Sequence, residues 1–238
     1  MEQHPSQPTE VPRARVPLGR AAFLGTVVAG VAGIAVLSRV SGGVGATIAD
    51  LGSAVPGVDA LVPTGGWRIY NVQDPMPTFD PATYALTVGG NVESPAVLRW
   101  QDVQATQQDT QVCDFHCVTG WSVADVHWKG IRSQTVIDLV RPRASAKHVT
   151  FQSLEPPYFD QLTLEQFLLA DVMLATEMDG KPLTRAHGAP LRLVMPKMYG
   201  YKGVKWLSGI SFDDEPQPGF WETRGYDADA WVGRDVQH

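Results

Sequence analysis

Residues 83–90, TYALTVGG, alternate apolar and polar side chains in the two-residue period of a strand with one buried face. The stretches 147–154, KHVTFQSL, and 204–212, VKWLSGISF, read as further strands. VMLATEM and PLRLVMP flank an Asp179-Gly180 turn and are expected to pair. Helical spacing is rarer. LRWQDVQA at 98–105 fits a short helix. SQTVIDLVRP at 133–142 offers Ser133 as an N-cap, a stripe of Val136, Ile137 and Val140, and Pro142 as a stop. TLEQFLLAD at 163–171 opens with Thr163 and Gln166 at capping-box spacing. Short strands, few helices and no regular βαβ alternation predict an α+β fold with mixed sheets.

The first third of the chain carries a different pattern. Residues 1–20 are polar and proline-rich, with Arg13, Arg15 and Arg20. An uncharged run follows from Ala21 to Ser38 and is closed by Arg39. Its length is near the ~20 residues that a spanning helix needs. The arginines before it favour a cytoplasmic tail and an extracytoplasmic bulk. Residues 21–38 are therefore expected to be a transmembrane anchor or an export signal. GRAAFLG resembles a twin-arginine export motif with Ala21 where the second arginine would stand. Residues 39–66 are small and glycine-rich, a flexible linker. The folded domain is expected over 67–238.

Composition narrows the function. The 238 residues are 44% hydrophobic and 18% charged, a globular balance. A net charge of -6 argues against nucleic-acid binding. Within this acidic protein, the stretch between Asp179 and Asp213 contains no acidic residue. It does contain Lys181, Arg185, His187, Arg192, Lys197, Lys202 and Lys205, with Gly188, Gly200, Gly203 and Gly209 among them. Cations separated by glycines suit an anion, because glycine lets exposed amides approach it. In GAPLRLVMP, Arg192 falls on the strand face opposite Leu191 and Leu193, where a guanidinium needs an anionic partner such as phosphate. A solvated basic face is the plainer alternative.

Both cysteines lie in CDFHCVTGWS, residues 113–122, with His116 between them. A disulfide, a structural zinc site, a Cys–His nucleophile pair and a single metal-ligating thiolate are open on this spacing. C-D-F-H-C is not the C-x-x-C-H of covalent haem attachment. Cys113 is read as a small buried hydrophobe. His116 and His127 are read as hydrogen-bonded structural residues, and Trp121 and Trp128 as wall and core.

Three ordered segments carry a family resemblance. HGAPLRLVMPKMYGYKGVKWLSGI (187–210) is similar to the C-terminal signature of the sulfite oxidase-type molybdopterin domain. CVTGWS (117–122) resembles that family's molybdenum-ligand segment, most closely in the branch of the periplasmic methionine sulfoxide reductase catalytic subunit. GFWETRGYDADAW (219–231) resembles the tail of many members. The resemblance implies an oxidoreductase that holds molybdenum on one molybdopterin and transfers an oxygen atom with two electrons. It implies Cys117 as the metal ligand and catalytic residue. It further implies cofactor contacts from Asn71 in IYNV, Ser153 in FQSL, His187, Arg192, Gly203, Val204 and Lys205. The branch tends to have glutamate two residues after the ligand cysteine, where this chain has Thr119. The resemblance leaves a small oxo-substrate unspecified. Reduction of an S- or N-oxide and sulfite-like oxidation both fit. Electrons would pass through a separate partner, a membrane cytochrome or a soluble carrier. A membrane-tethered domain that kept the fold without catalysis is the contrasting expectation.

Overall fold

The computed structural model describes residues 66–233. The expected tail, membrane segment and most of the linker lie outside them. Ten strands form two five-stranded sheets. The first contains β1 (Ala85–Gly90), β2 (Ala96–Arg99), β5 (His148–Ser153), β6 (Phe159–Thr163) and β10 (Leu207–Asp213). Their order is β2-β1-β10-β5-β6. The β1–β10 pair is parallel and the other pairs are antiparallel, so this sheet is mixed as expected. The second sheet contains β3 (Asp109–Cys117), β4 (Trp121–Arg132), β7 (Met173–Met178), β8 (Lys181–Pro182) and β9 (Arg192–Val194). Here β7 pairs with β4 on one edge and with both β8 and β9 on the other.

The predicted pairing around Asp179-Gly180 is present. Met173 faces Val194, and Ala175 faces Arg192. Two expectations shift. LRWQDVQA begins as β2 and becomes helical only from α1 (Trp100–Ala105), because Ala96–Arg99 is captured by β1. Ser133 is not the cap of α2 (Ser133–Val140); Arg132 is, without a side-chain cap bond. Strand β4 runs straight into this helix, and the Ser133 N–H donates to the Val172 carbonyl. Ser133 is thus the first helical residue, one position past the cap, and its own N–H is already paired. The capping box of α3 (Leu164–Phe167) is complete, with Gln166 N–H on Thr163 Oγ1 and Thr163 N–H on Gln166 Oε1. The helix is shorter than the 163–171 pattern suggested, because the chain must turn into β7 by Met173.

A bulge decides which side chains face inward in the second sheet. Cys113 pairs with Val126 and Phe115 with Val123, so β4 holds one extra residue there. Asp125 takes φ +53° and donates its N–H to Asp114 Oδ1. Before this point Trp121 and Val123 turn inward; after it Val126 and Trp128 do. Two apolar clusters result. The larger gathers Leu86, Phe151, Leu193, Leu207 and Ile210; the smaller gathers Trp67, Val126, Trp128 and Met173.

Candidate active site

One cavity of about 310 Å³ lies where the end of β3, the segment after β9 and the first described residues meet. Cys117 is the last residue of β3. The strand period places Cys113, Phe115 and Cys117 on one face and His116 on the other, where Nδ1 contacts Ser122 Oγ at 2.8 Å. A hairpin closed by Gly120 N–H on the Cys117 carbonyl presents the thiol, with Gly120 at φ +89°. Cys117 Sγ lies 3.2 Å from Thr119 Oγ1. The two cysteines are free. Four residues apart in a strand, they are separated by about 13 Å, too far for a disulfide. Cys113 is half-buried against the smaller cluster, and burial pushes its thiol up to about 11, which suits an inert residue. Among the described residues, no three His, Cys, Asp or Glu side chains converge as a protein-only metal site would require.

The basic segment divides by partner. Lys197 meets Asp171, and Lys202 is buried between Asp160 and Glu222 at 2.6 Å from each. Arg185 donates to the carbonyls of Met76 and Pro77. Among the described residues, no carboxylate lies within ion-pair distance of Arg192 or Lys205, and both line the cavity. Arg192 is only 4% exposed. Leu191 and Leu193 enter the larger core while its guanidinium lies 5.6 Å and 5.3 Å from the ring centres of Phe115 and Trp128. It donates to the carbonyls of His187 and Gly203 at 3.3 and 3.4 Å, and its Nε is unpaired. Burial lowers its pKa to about 10. Lys205 donates to the Tyr70 carbonyl at 2.6 Å and sits 4.1 Å from the Trp206 ring centre. Burial, then the Arg192 charge, brings its pKa down to about 7.

His187 packs edge-on against Trp67 at 4.9 Å. Burial, and then Arg192 and Lys205, push its pKa down to about 4, so the ring is neutral near pH 7. Its buried Nδ1 has no partner. Gly188, at φ +98°, lets this loop touch Lys205; a Cβ there would come within 2.8 Å of Lys205 Cβ. At Gly200, a Cβ would meet the Phe115 ring at 2.1 Å.

Six residues singled out from sequence line this one cavity: Asn71, Cys117, His187, Arg192, Gly203 and Lys205. Ser153 and Val204 do not. The Ser153 hydroxyl is used within the protein, donating to the Lys205 carbonyl at 2.8 Å. Val204 is fully buried in the larger core, its N–H on the Lys202 carbonyl and its own carbonyl accepting from Leu193. The Gly203 N–H is likewise spent on Gly200. Sequence reasoning missed Glu155, Tyr158, Tyr201 and Tyr226, which also line the cavity. Tyr201 and Tyr226 stand inside the 187–210 and 219–231 segments but are not distinguished there, and no period or motif marked Glu155 or Tyr158. Trp67 was legible only as a domain boundary.

Comparison with known proteins follows the same residues. Residues 73–221 match the family described as oxidoreductase molybdopterin binding domain. The chain belongs to this family. The uncharacterized oxidoreductase YuiH of Bacillus subtilis is 40% identical over 147 residues, 62% of this chain and 74% of that protein. The protein-methionine-sulfoxide reductase catalytic subunit MsrP of Campylobacter jejuni is 28% identical over 61% of this chain and 54% of its own length. A putative protein-methionine-sulfoxide reductase subunit, YedZ1 of Azospira oryzae, is 29% identical over 70% of this chain and 62% of its own. The chain thus spans between half and two thirds of these two reductase relatives. Among solved structures, the sulfane dehydrogenase SoxCD of Paracoccus pantotrophus shares the fold, with a TM-score of 0.55 and 20% identity over 59% of this chain and 40% of that one. This molybdopterin-binding domain is therefore an oxidoreductase of the sulfite oxidase type, and its cofactor is molybdopterin-bound molybdenum.

The cavity fits that group. A soft sulfur donor stands at its wall, as molybdenum requires. The charged side chains lining it are Arg68, Arg192 and Lys205 against Glu155, an excess of cation suited to a phosphate-bearing pterin. His187 Nδ1, Arg192 Nε and Trp121 Nε1 are buried and unpaired in its wall. Buried polar atoms without partners are costly in a finished site and are satisfied when a polar ligand enters.

Proposed function

We propose that Cys117 supplies the only protein ligand to molybdenum, and that Arg192 and Lys205 hold the anionic end of the pterin. The cofactor, when bound, supplies two-electron oxygen-atom transfer; the chain supplies position, charge and exclusion of water. The carrying observation is that Cys117, Arg192 and Lys205, separated by up to 88 positions in sequence, line one cavity and, among the described residues, no carboxylate is paired to either cation. The Arg192 guanidinium rests against the Phe115 and Trp128 rings, contacts that help to hold it in the cavity wall. Charge-assisted bonds of this kind contribute roughly 1.5–3 kcal/mol each. His187, held neutral, offers one donor and one acceptor without adding charge.

The substrate is a small oxo-compound, and reduction of an S-oxide is the reading best supported. Two relatives carry protein-methionine-sulfoxide reductase names. Thr119 places a neutral hydroxyl beside Cys117 where a carboxylate is usual in that branch, and this changes the charge next to the metal. Electrons pass through a separate redox partner, a membrane cytochrome or a soluble carrier.

The test is metal and pterin analysis of the purified protein with turnover of sulfoxides under a chemical reductant. One molybdenum and one pterin per chain are expected. Cys117→Ser is expected to abolish turnover and alter the metal spectrum with the fold intact, and Cys113→Ser to leave both near the parent. Absence of molybdenum from cofactor-competent protein would refute the proposal.

A further inference from the structure

The cavity wall includes one continuous strap. Residues 67–72 all line it, and beyond a single bridge residue at Trp67 the strap belongs to no strand. Two side chains from elsewhere fasten it. Lys205 Nζ donates to the Tyr70 carbonyl at 2.6 Å. Glu155 Oε1 accepts from the N–H groups of both Val72 and Gln73, at 2.7 and 2.9 Å, across 83 and 82 positions of sequence. The two fasteners are themselves joined. The Glu155 N–H donates to Ser153 Oγ at 3.0 Å, and that hydroxyl donates to the Lys205 carbonyl at 2.8 Å. Strap, Glu155, Ser153 and Lys205 thus form a closed ring of hydrogen bonds at the cavity edge.

Glu155 is the unusual member. It is 2% exposed and forms no ion pair among the described residues, yet it lies in the wall of a cavity that must receive an anion. A carboxylate there opposes an anionic ligand, so charge complementarity with the cofactor does not account for it. Its two backbone bonds do. Consecutive amides pointing at one oxygen need an acceptor that is strong and unshared, and a carboxylate is the strongest a side chain supplies.

We infer that Glu155 is a positioning residue for the cofactor: it latches the 67–72 strap across the cavity, keeping Asn71 and the Trp67 ring in its wall. The inference rests on the reading of this cavity as the pterin site. The latch works by geometry. Electrostatics alone predicts the reverse outcome, because removing a negative charge from a cationic cavity tightens its hold on an anion.

The experiment uses the full-length holoenzyme and its Glu155→Ala and Glu155→Gln variants. Release of the pterin into an excess of scavenger is followed by fluorescence, and amide exchange of residues 67–73 by mass spectrometry. The Leu207–Asp213 strand serves as the internal standard for global unfolding. Glu155→Ala is expected to release the cofactor roughly 10–100-fold faster, as loss of a supporting partner does at metal sites. Exchange at Val72 and Gln73 should accelerate while Leu207–Asp213 stays protected. Glu155→Gln keeps a carbonyl acceptor and is expected to release no faster than the parent. Parent-like release from Glu155→Ala, or fast release with unchanged exchange at 72–73, overturns the inference, as does fast release from both variants. If the alanine variant does not fold, Glu155→Asp, one methylene short, takes its place with the same expectations. Should the parent bind no pterin, the functional reading fails. The exchange comparison then still reports whether Glu155 holds the strap.

Discussion

Lys205 connects the charge of the cavity to its chemistry. Buried beside Arg192 it loses its proton near pH 7, whereas a bound anion stabilises the protonated form. Anion binding above that pH therefore takes up a proton, and affinity falls as pH rises. Arg192, lowered only to about 10, and His187, lowered to about 4, stay in one state between pH 6 and 9. Inorganic sulfate does not titrate in this range and is a clean probe. Its affinity for cofactor-free protein is expected to be flat below pH 7 and to drop by up to about tenfold per unit above it. Lys205→Arg should flatten the profile. Calorimetry in buffers of different ionisation enthalpy measures both, and a pH-independent parent would count against Lys205 as the titrating contact.

At the scale of elements, the short 3-10 turn Gly200–Lys202 brings the Phe115-packed edge of the cavity against the C-terminal segment. Its anchor is Lys202, buried with Asp160 and Glu222. Desolvation raises Asp160 to about 7, with Lys202 opposing the shift. A folded-state pKa above the unfolded value means that Asp160's contribution is complete below about pH 4 and is lost as pH rises through 7. Lys202→Met would leave two buried carboxylates facing each other. The expected loss is about 3–5 kcal/mol near pH 8. It should shrink at pH 5, where Asp160 takes up a proton. Urea denaturation of cofactor-free protein at the two pH values tests this. A loss that is equal at both would mean that the triad's charge does not set the stability of the turn.

At the scale of the molecule, the site joins parts that the chain makes at different times. The thiol comes from a β-hairpin, the cations from the loop and strand around β9 and β10, and the strap from the residues just after the linker. A cavity closed by all three forms only in a folded domain, so the cofactor is acquired only once these parts have folded together. If residues 21–38 direct the domain outside the cytoplasmic membrane, export of a folded, loaded protein is expected. Blocking a translocase for folded proteins should then trap molybdenum-containing protein in the cell. Normal export under the block would remove that route and leave the site assignment standing.

The local sequence already determined much of this protein. A period-two pattern marked β1, strand-like runs marked β5, β7 and β10, and Thr163 with Gln166 marked the cap of α3, because those features depend on neighbours a few residues apart. CVTGWS and HGAPLRL carried the family, since the chemistry of a metal thiolate and an anion cradle demands particular residue types at short spacing. Charge counting found the basic segment but could not divide it: Lys202 and Lys205 look alike in sequence, and only the fold brings carboxylates to one and an open cavity to the other. Ser133 looked like a cap, but β4 runs straight into α2 and makes Ser133 its first residue, with its N–H on the Val172 carbonyl just before β7. The bulge at Asp125, which turns Trp128 inward, exists only in the register of two paired strands. Glu155 carried no signal at all. Its role is written in two amides more than eighty residues away, and such a partnership is made by tertiary structure alone.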